Sequence, residues 1–527
     1  MITSPFSARK PKDFRILLFY PNIYMSALMP QSIGIFTAIL KSEGYTLDLF
    51  DCTYYEDIDA INLGKNANQE RVSNRNAPAY SENELSTKGV KPKWGIQNDF
   101  NKKIDEFQPD LIIGSVLEST YYLAMMLLES VPANKRKYKT MFGGVFATFA
   151  SEKIIKSHLV DYICRGEGEE ALQEFCKKLS TGGRIDNIKN FTLKGDGQIF
   201  RNTLRPAVDL ESVPIPDWDL FEEGSLYRPM QGKIWRAVGL ETQRGCPYTC
   251  TYCNSPANNI IYKKEVSKIF YRKKSMPRLK KELDFLVKKY DPQLIYFVVD
   301  TFLAMSNREF DELKELYSDY KIPFWMNTRA ETITELRAAG LEEMNMLRMN
   351  IGIEHGNADY RKNYLKRVVS NDLQIKAFEM AADKKYTTVA NSIIGMPDEN
   401  RDLIFDTIKL VRRLPKSVDA TGAFIFAPYH GTALRDVAIQ KGYIKDEDIC
   451  SVSNTANESM LDMPSITKKE ISGLNRTFSF YTKFPENRWD EIKVAEKFDS
   501  EGDAMFKKLG LEFDSTYRNY DTPEDLH

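Results

Sequence analysis

Three of the chain's seven cysteines, Cys246, Cys250 and Cys253, fall within the stretch RGCPYTCTYC. The C-x3-C-x2-C spacing lets three thiolates of one loop converge on a single metal centre. A closed zinc site takes four protein ligands, normally as two spaced pairs. Here no fourth ligand is close, and His158, His355, His430 and His527 are all distant in sequence. An incomplete set of soft donors points to an iron–sulfur cubane with one iron left for an outside ligand. Gly245 and Pro247 fit a tight loop whose backbone N–H groups reach sulfide. Two duller readings stay open: buried unligated cysteines, or zinc completed from elsewhere.

The loop directly follows the strand WRAVGLET, so the elements downstream must build its surroundings. LIYFVVD, PFWMNTRA, LRMNIGIE, TVANSIIG and ATGAFIFAP read as further strands, separated by helical stretches such as PRLKKELDFLVKKY and RDLIFDTIKLVRRL. Six βα-type units predict a partial (β/α)6 barrel over residues 233–430, with chemistry on the loops at the strands' carboxyl ends. Those ends carry Cys246, Asp300, Arg329, Glu354, Pro397 and Tyr429.

Upstream, RILLFYPN, TLDLFD, DLIIGSV, TMFGGVFA and VDYIC alternate with helical patterns. This predicts a Rossmann-like, doubly wound α/β domain over residues 1–205. Residues 56–108 are rich in Asn, Ser, Lys and Glu and read as a polar insertion: a solvated loop or a lid. Residues 206–232 read as a linker docking through Trp218 and Phe221, and residues 431–527 as a mainly helical cap.

At 527 residues the chain needs two or three cores. With 73 basic and 74 acidic residues, the net charge of −1 excludes a dominant phosphate-binding face and hence nucleic acid as a general partner. No apolar run spans a bilayer, and MITSPFSARKPKDF lacks a secretory h-region. An odd, scattered cysteine count speaks against a disulfide framework, so a cytoplasmic protein without a membrane partner is expected.

RGCPYTCTYC resembles the radical S-adenosylmethionine (SAM) signature C-x3-C-x-aromatic-C. PIPDWDLF, FVVDTF, NTRAETI, NIGIEHGN, IIGMPDEN and APYHGT resemble the subgroup with an N-terminal cobalamin-binding domain, as do FGGVFAT and VDYICRGEGEEAL. The resemblance covers most of Phe14–Thr432. It implies a 4Fe-4S cluster on Cys246, Cys250 and Cys253, whose free iron chelates SAM. One electron then yields a 5′-deoxyadenosyl radical, which takes hydrogen from an unactivated carbon. By the same resemblance, the backbone of Tyr252 meets adenine and Glu354 the amine or ribose. Arg329 holds the methionyl carboxylate, and Ile394–Met396 flank adenine. A structural ion pair is the alternative for Arg329 and Glu354, and a helix cap for Asp300. His430 departs from a Y-P-G-T-like turn; it and His355 are turn residues or substrate-facing acid–base groups.

For the first domain the resemblance implies a corrin over the strand ends with its tail in the sheet. Ser115, Ser119 and Thr120 would hydrogen-bond the tail, Gly143 and Gly144 admit it, and Thr148 add a hydroxyl. Gly166 and Gly168 would open a helix near phosphate or ribose. PNIYMSALMPQSIG lacks the D-x-H-x-x-G histidine, and His158 reads as a surface residue, so cobalamin is expected base-off without a histidine on cobalt. The expected activity is a cobalamin-dependent radical SAM methyltransferase for a small molecule, reduced by flavodoxin or ferredoxin. Rearrangement, cyclisation or dehydrogenation by the same architecture is the alternative, as is a non-catalytic iron–sulfur or zinc sensor.

Overall fold

The computed structural model describes residues 1–23, 29–56, 72–75, 79–195, 197–419 and 421–517. Strands β1 (Arg15–Tyr20), β2 (Thr46–Asp51), β3 (Leu111–Ser115), β4 (Lys139–Gly143) and β5 (Tyr162–Cys164) form a parallel sheet ordered β2-β1-β3-β4-β5. Their near-continuous apolar runs suit strands covered on both faces. An antiparallel hairpin, β6 (Phe191–Gly195) and β7 (Gln198–Arg201), extends the edge. In this order ligands bind beyond the carboxyl ends, where strand order reverses beside β1 and β3.

The second sheet holds six parallel strands, one at each predicted position: β9 (Lys233–Leu240), β12 (Leu294–Phe297), β13 (Phe324–Arg329), β14 (Met346–Glu354), β15 (Thr387–Ile394) and β16 (Ala423–Ile425). A further strand, β8 (Tyr227–Met230), pairs antiparallel with β9, so the end of the predicted linker joins the sheet. The ladder β10 (Gln243–Arg244) with β11 (Arg272–Lys273) brackets the cysteine loop. Helices Lys468–Lys483, Trp489–Ala495 and Ser500–Tyr517 cover the β15–β16 side. Among the described residues no helix is long and apolar enough to cross a membrane.

One stretch departs from its sequence reading. Within the predicted polar insertion, helix Ile96–Phe107 buries Ile96, Phe100, Ile104 and Phe107 against the first sheet. Four apolar residues on one stripe suffice for this, although the average composition is polar. Residues 57–71 and 76–78 of that insertion lie outside the described residues.

The two sheets are clasped by the linker and, beyond β3, by Glu118. Trp218 is 2% exposed and packs with Tyr290 and the second sheet's core, while Phe221 touches both cores. Glu118, just beyond β3, accepts from the backbone N–H of His430 (2.8 Å) and of Cys450 (3.0 Å), and lies 2.8 Å from His430 Nδ1. Burial pushes the Glu118 carboxyl up, but the His430 imidazole and the two amides outweigh it and hold it below the ordinary carboxylate range.

Two outcomes are expected. A Cβ on Gly34 would lie 2.6 Å from Trp218 Nε1 and 2.7 Å from Pro216 Cβ. Gly34→Ala should therefore lower stability by about 1–3 kcal/mol despite alanine's helix preference, read by thermal unfolding. Because Glu118's folded pKa is depressed, its contribution is full above the ordinary carboxylate range and lost as pH falls through the folded value. Glu118→Gln should cost about 1–3 kcal/mol at neutral pH. It should also flatten the acid limb of stability against pH.

Candidate active site

The cysteine loop is held from several sides. Gly245 sits at φ +80°, and a Cβ there would lie 2.8 Å from the Phe270 ring, so only glycine fits. Asn259 donates to the Cys246 carbonyl (2.8 Å) and accepts from the N–H groups of Phe270 (3.1 Å) and Tyr271 (3.2 Å). Thr251 donates from N–H to the Leu365 carbonyl (3.3 Å) and accepts at its own carbonyl from Leu434 N–H (3.0 Å). Cys253 caps helix Asn254–Val266, its sulfur accepting from Ser255 N–H at 3.5 Å. That position stabilises a thiolate through the helix dipole.

All seven cysteines are free, and Cys246 and Cys250 are each 7% exposed. Burial raises the Cys246 thiol and pushes Cys253 up to about 12. A bound metal reverses this, since it binds the deprotonated form. Among the described residues no group of three His, Cys, Asp or Glu is drawn tightly enough for a single ion. The three free thiols belong to one braced loop, and soft donors of this kind suit iron–sulfur ligation.

At the end of β13, Arg329 donates from Nη1 to Cys250 Sγ (2.9 Å) and from Nε to Glu331 (2.7 Å), with its guanidinium 3.9 Å from the Tyr248 ring centroid. Its fork is thus turned to the cysteine loop and Glu331. Glu354 ends β14 at φ +64°, where the register with β15 shifts, and accepts from Arg367 Nη1 at 3.0 Å. Arg367 also reaches the Tyr252 hydroxyl (3.4 Å) and is 2% exposed. It was missed in the sequence because it sits in an unremarkable loop, YLKRVV; a lone arginine there carries no signal.

A cavity of about 380 Å³ lies against Pro247, Tyr248 and Glu331, and three others bear on the residues named above. The largest, about 610 Å³, fills the mouth of the second sheet and is lined by Tyr252, Cys253, Asp300, Trp325, Asn327 and Tyr429, among others. Asp300 bonds the Ser255 hydroxyl, and burial raises its carboxyl. The following helix is capped by Ser306 with Glu309 instead, so Asp300 is no cap. A cavity of about 320 Å³ lies against Tyr252, Ile393, Phe424, Phe426 and Tyr429, with Ser119 of the first domain on its rim.

The third, about 290 Å³, opens on the first sheet between Ser115, Gly143, Gly144, Thr148, Gly166 and Gly168. Five residues line both this cavity and the largest one: Val145, Glu241, Arg244, Asn258 and Phe270. Gly144 (φ +104°) and Gly166 (φ +66°) are forced, since a Cβ would meet the Val116 carbonyl at 2.8 Å or the Tyr262 hydroxyl at 2.5 Å. The Thr148 hydroxyl ties the two glycine loops, donating to the Gly144 carbonyl and accepting from Gly166 N–H, both at 2.9 Å.

Several sequence expectations are relocated. Ile394 and Met396 are fully buried in the core beneath the cap, and Glu399 takes the Gly395 and Met396 amides. The strand's two-residue period puts Ile393 on the cavity instead. Thr120 turns its hydroxyl into its own 3-10 turn, away from the tail cavity, and Ser119 lies on a different cavity. Glu167 and Glu169 flank Gly168 on this cavity, and Arg244 pairs with both carboxylates. His355 is buried on the Tyr360 ring at 4.3 Å, and its Nδ1 accepts from Asn357 N–H at 3.0 Å. His158 is exposed, 3.3 Å from Glu129.

Comparison with known proteins agrees with this geometry. The model of the radical SAM superfamily matches residues 240–411, and that of the B12 binding domain matches residues 87–176. An uncharacterized methyltransferase of Pyrococcus horikoshii is 26% identical over 73% of this chain and 82% of its own. The anaerobic magnesium-protoporphyrin IX monomethyl ester cyclase of Rubrivivax gelatinosus is 23% identical over 60% of this chain, which spans 56% of that protein. The hopanoid C-3 methylase of Methylococcus capsulatus is 23% identical over 69% of this chain and 68% of its own. In fold, the chain is similar to the radical SAM methyltransferase TsrM of Kitasatospora setae (TM-score 0.57, 14% identity, 90% of this chain and 84% of that one). It is also similar to the cobalamin-dependent radical enzyme OxsB (TM-score 0.60, 16% identity, 95% and 71%). A cysteine loop at the mouth of an open parallel sheet, facing a doubly wound domain across a shared wall, is in keeping with both matches: the chain carries a radical SAM domain over residues 240–411 and a B12-binding domain over residues 87–176.

Proposed function

We propose that the chain is a cobalamin-dependent radical SAM methyltransferase that modifies an sp3 carbon of a small molecule. One observation carries the reading: the cavity on the first sheet and the cavity beside Cys253 share five lining residues. When bound, the cluster and SAM supply a 5′-deoxyadenosyl radical that abstracts hydrogen, and cobalamin supplies the methyl group. Cys246, Cys250 and Cys253 hold the cluster. Tyr252, Ile393 and the Phe424–Ala427 stretch wall the adenine, and Glu354 receives the amine or a ribose hydroxyl. Gly143, Gly144, Gly166 and Gly168 admit the corrin's tail beside Ser115. No histidine lines that cavity among the described residues, which favours base-off cobalamin without a protein imidazole on cobalt. The apolar walls exclude water from the reactive species. A flavodoxin- or ferredoxin-type protein is the reductant.

Cyclisation without methyl transfer is the second reading, favoured by the relatives named as cyclases. Anaerobic turnover with methyl-labelled SAM separates the two: 5′-deoxyadenosine with labelled product is expected, and 5′-deoxyadenosine with unlabelled product overturns methyl transfer. If reduced, cluster-loaded protein never cleaves SAM, the sensor reading replaces both. Cys253→Ser should lower SAM cleavage by more than the roughly 10–100-fold typical of outer-shell changes around a metal. Gly143→Leu leaves the fold intact, since a Cβ there meets nothing nearer than 3.8 Å, yet it fills the tail cavity. Cobalt per chain should fall about tenfold while iron stays constant, measured by metal analysis.

A further inference from the structure

We propose that Arg329 sets the reduction potential of the cluster by donating a charged hydrogen bond to Cys250, as a positioning residue for electron entry. The inference rests on the cluster assignment above.

The three sulfurs are not equivalent. Cys246 Sγ meets the Thr301 hydroxyl at 3.5 Å and the Tyr248 backbone, and Cys253 Sγ the Ser255 amide at 3.5 Å. Cys250 Sγ alone faces a guanidinium, at 2.9 Å. That guanidinium is fixed three ways: Nε on Glu331 at 2.7 Å, its plane over Tyr248 at 3.9 Å, and burial to 8% exposure. A second guanidinium, Arg367, stands 4.0 Å from the other Glu331 oxygen and 3.0 Å from Glu354. Arg367 has its closer partner in Glu354, so what distinguishes Cys250 is the direct contact with the Arg329 Nη1 donor.

Reduction adds one negative charge to the cluster and its thiolates. A buried cationic donor on a thiolate stabilises the reduced state more than the oxidised one, because the added charge has little water to screen it. Arg329 thus raises the potential and eases reduction by a weak donor. A bracing role for the loop alone would leave the potential where it is.

The test is a redox titration, followed by electron paramagnetic resonance, of anaerobically reconstituted protein without SAM. Wild type, Arg329→Lys, Arg329→Gln and Glu331→Gln are compared at equal iron content. Arg329→Gln should disfavour reduction about tenfold, a fall of about 59 mV for a one-electron couple. Arg329→Lys, which keeps the charge but loses the fork, should fall by less. Glu331→Gln should raise the midpoint, because a compensating anion is lost. If Arg329→Gln does not fold, the other two variants carry the test. Cluster-loaded variants with unshifted midpoints overturn the inference, including the case where Arg329→Gln merely weakens SAM binding. Wild-type protein that takes up no 4Fe-4S cluster overturns the assignment beneath it as well.

Discussion

A single buried guanidinium sets the distance between the two halves of this molecule. Arg244, on the short strand before the cysteine loop, holds Glu167 at 2.5 Å and Glu169 at 2.7 Å across the seam, and Glu241 at 2.9 Å on its own side. Arg272 adds a second cation on Glu167. Buried charges of this kind are costly to leave unpaired, by about 3–5 kcal/mol when one partner is removed. The two domains therefore cannot drift apart without exposing or stranding carboxylates. With Glu118 fastened to His430 at the far end, the carboxyl ends of two unrelated sheets are made to face each other. The first domain contributes Val145 to the wall of the largest cavity and Ser119 to the rim of another.

The cysteine loop draws on the same seam. Its helix carries Tyr262, whose hydroxyl accepts from Glu167 N–H at 3.0 Å and lies where a side chain on Gly166 would go. A glycine in one domain is thus required by a tyrosine on the helix capped by Cys253. Glu354 shows the complementary device. Its left-handed backbone costs about 1–3 kcal/mol, and the ion pair to Arg367 keeps it there, with the carboxylate beside Tyr252.

Much of this was legible in the residues. The six strands of the second sheet were marked by apolar runs ending in polar residues, and the cysteine spacing identified the loop without any fold. Ser115 and the four glycines share one cavity because strand-end glycines leave a readable trace. What escaped reading was pairing over long sequence distances. Glu118 and His430 are 312 residues apart, and neither stretch announces the other. Arg329 and Arg367 find their partners only once the loop after β14 folds back on the cysteines. Ile394 lies in the core and its neighbour Ile393 on the cavity, since successive strand residues take opposite faces. The helix inside the polar insertion was hidden by averaging, since four apolar residues among charged neighbours look like a loop.

The five residues common to the two large cavities make those chambers one piece of architecture. A bulkier Val145 or Phe270 would tighten both rooms at once, and a smaller one would loosen both. Selection for a new guest in the barrel mouth therefore reshapes the cavity on the first sheet in the same stroke. Diversification in such a lineage is steered toward the walls each chamber owns alone, above all the cap and the outer barrel loops.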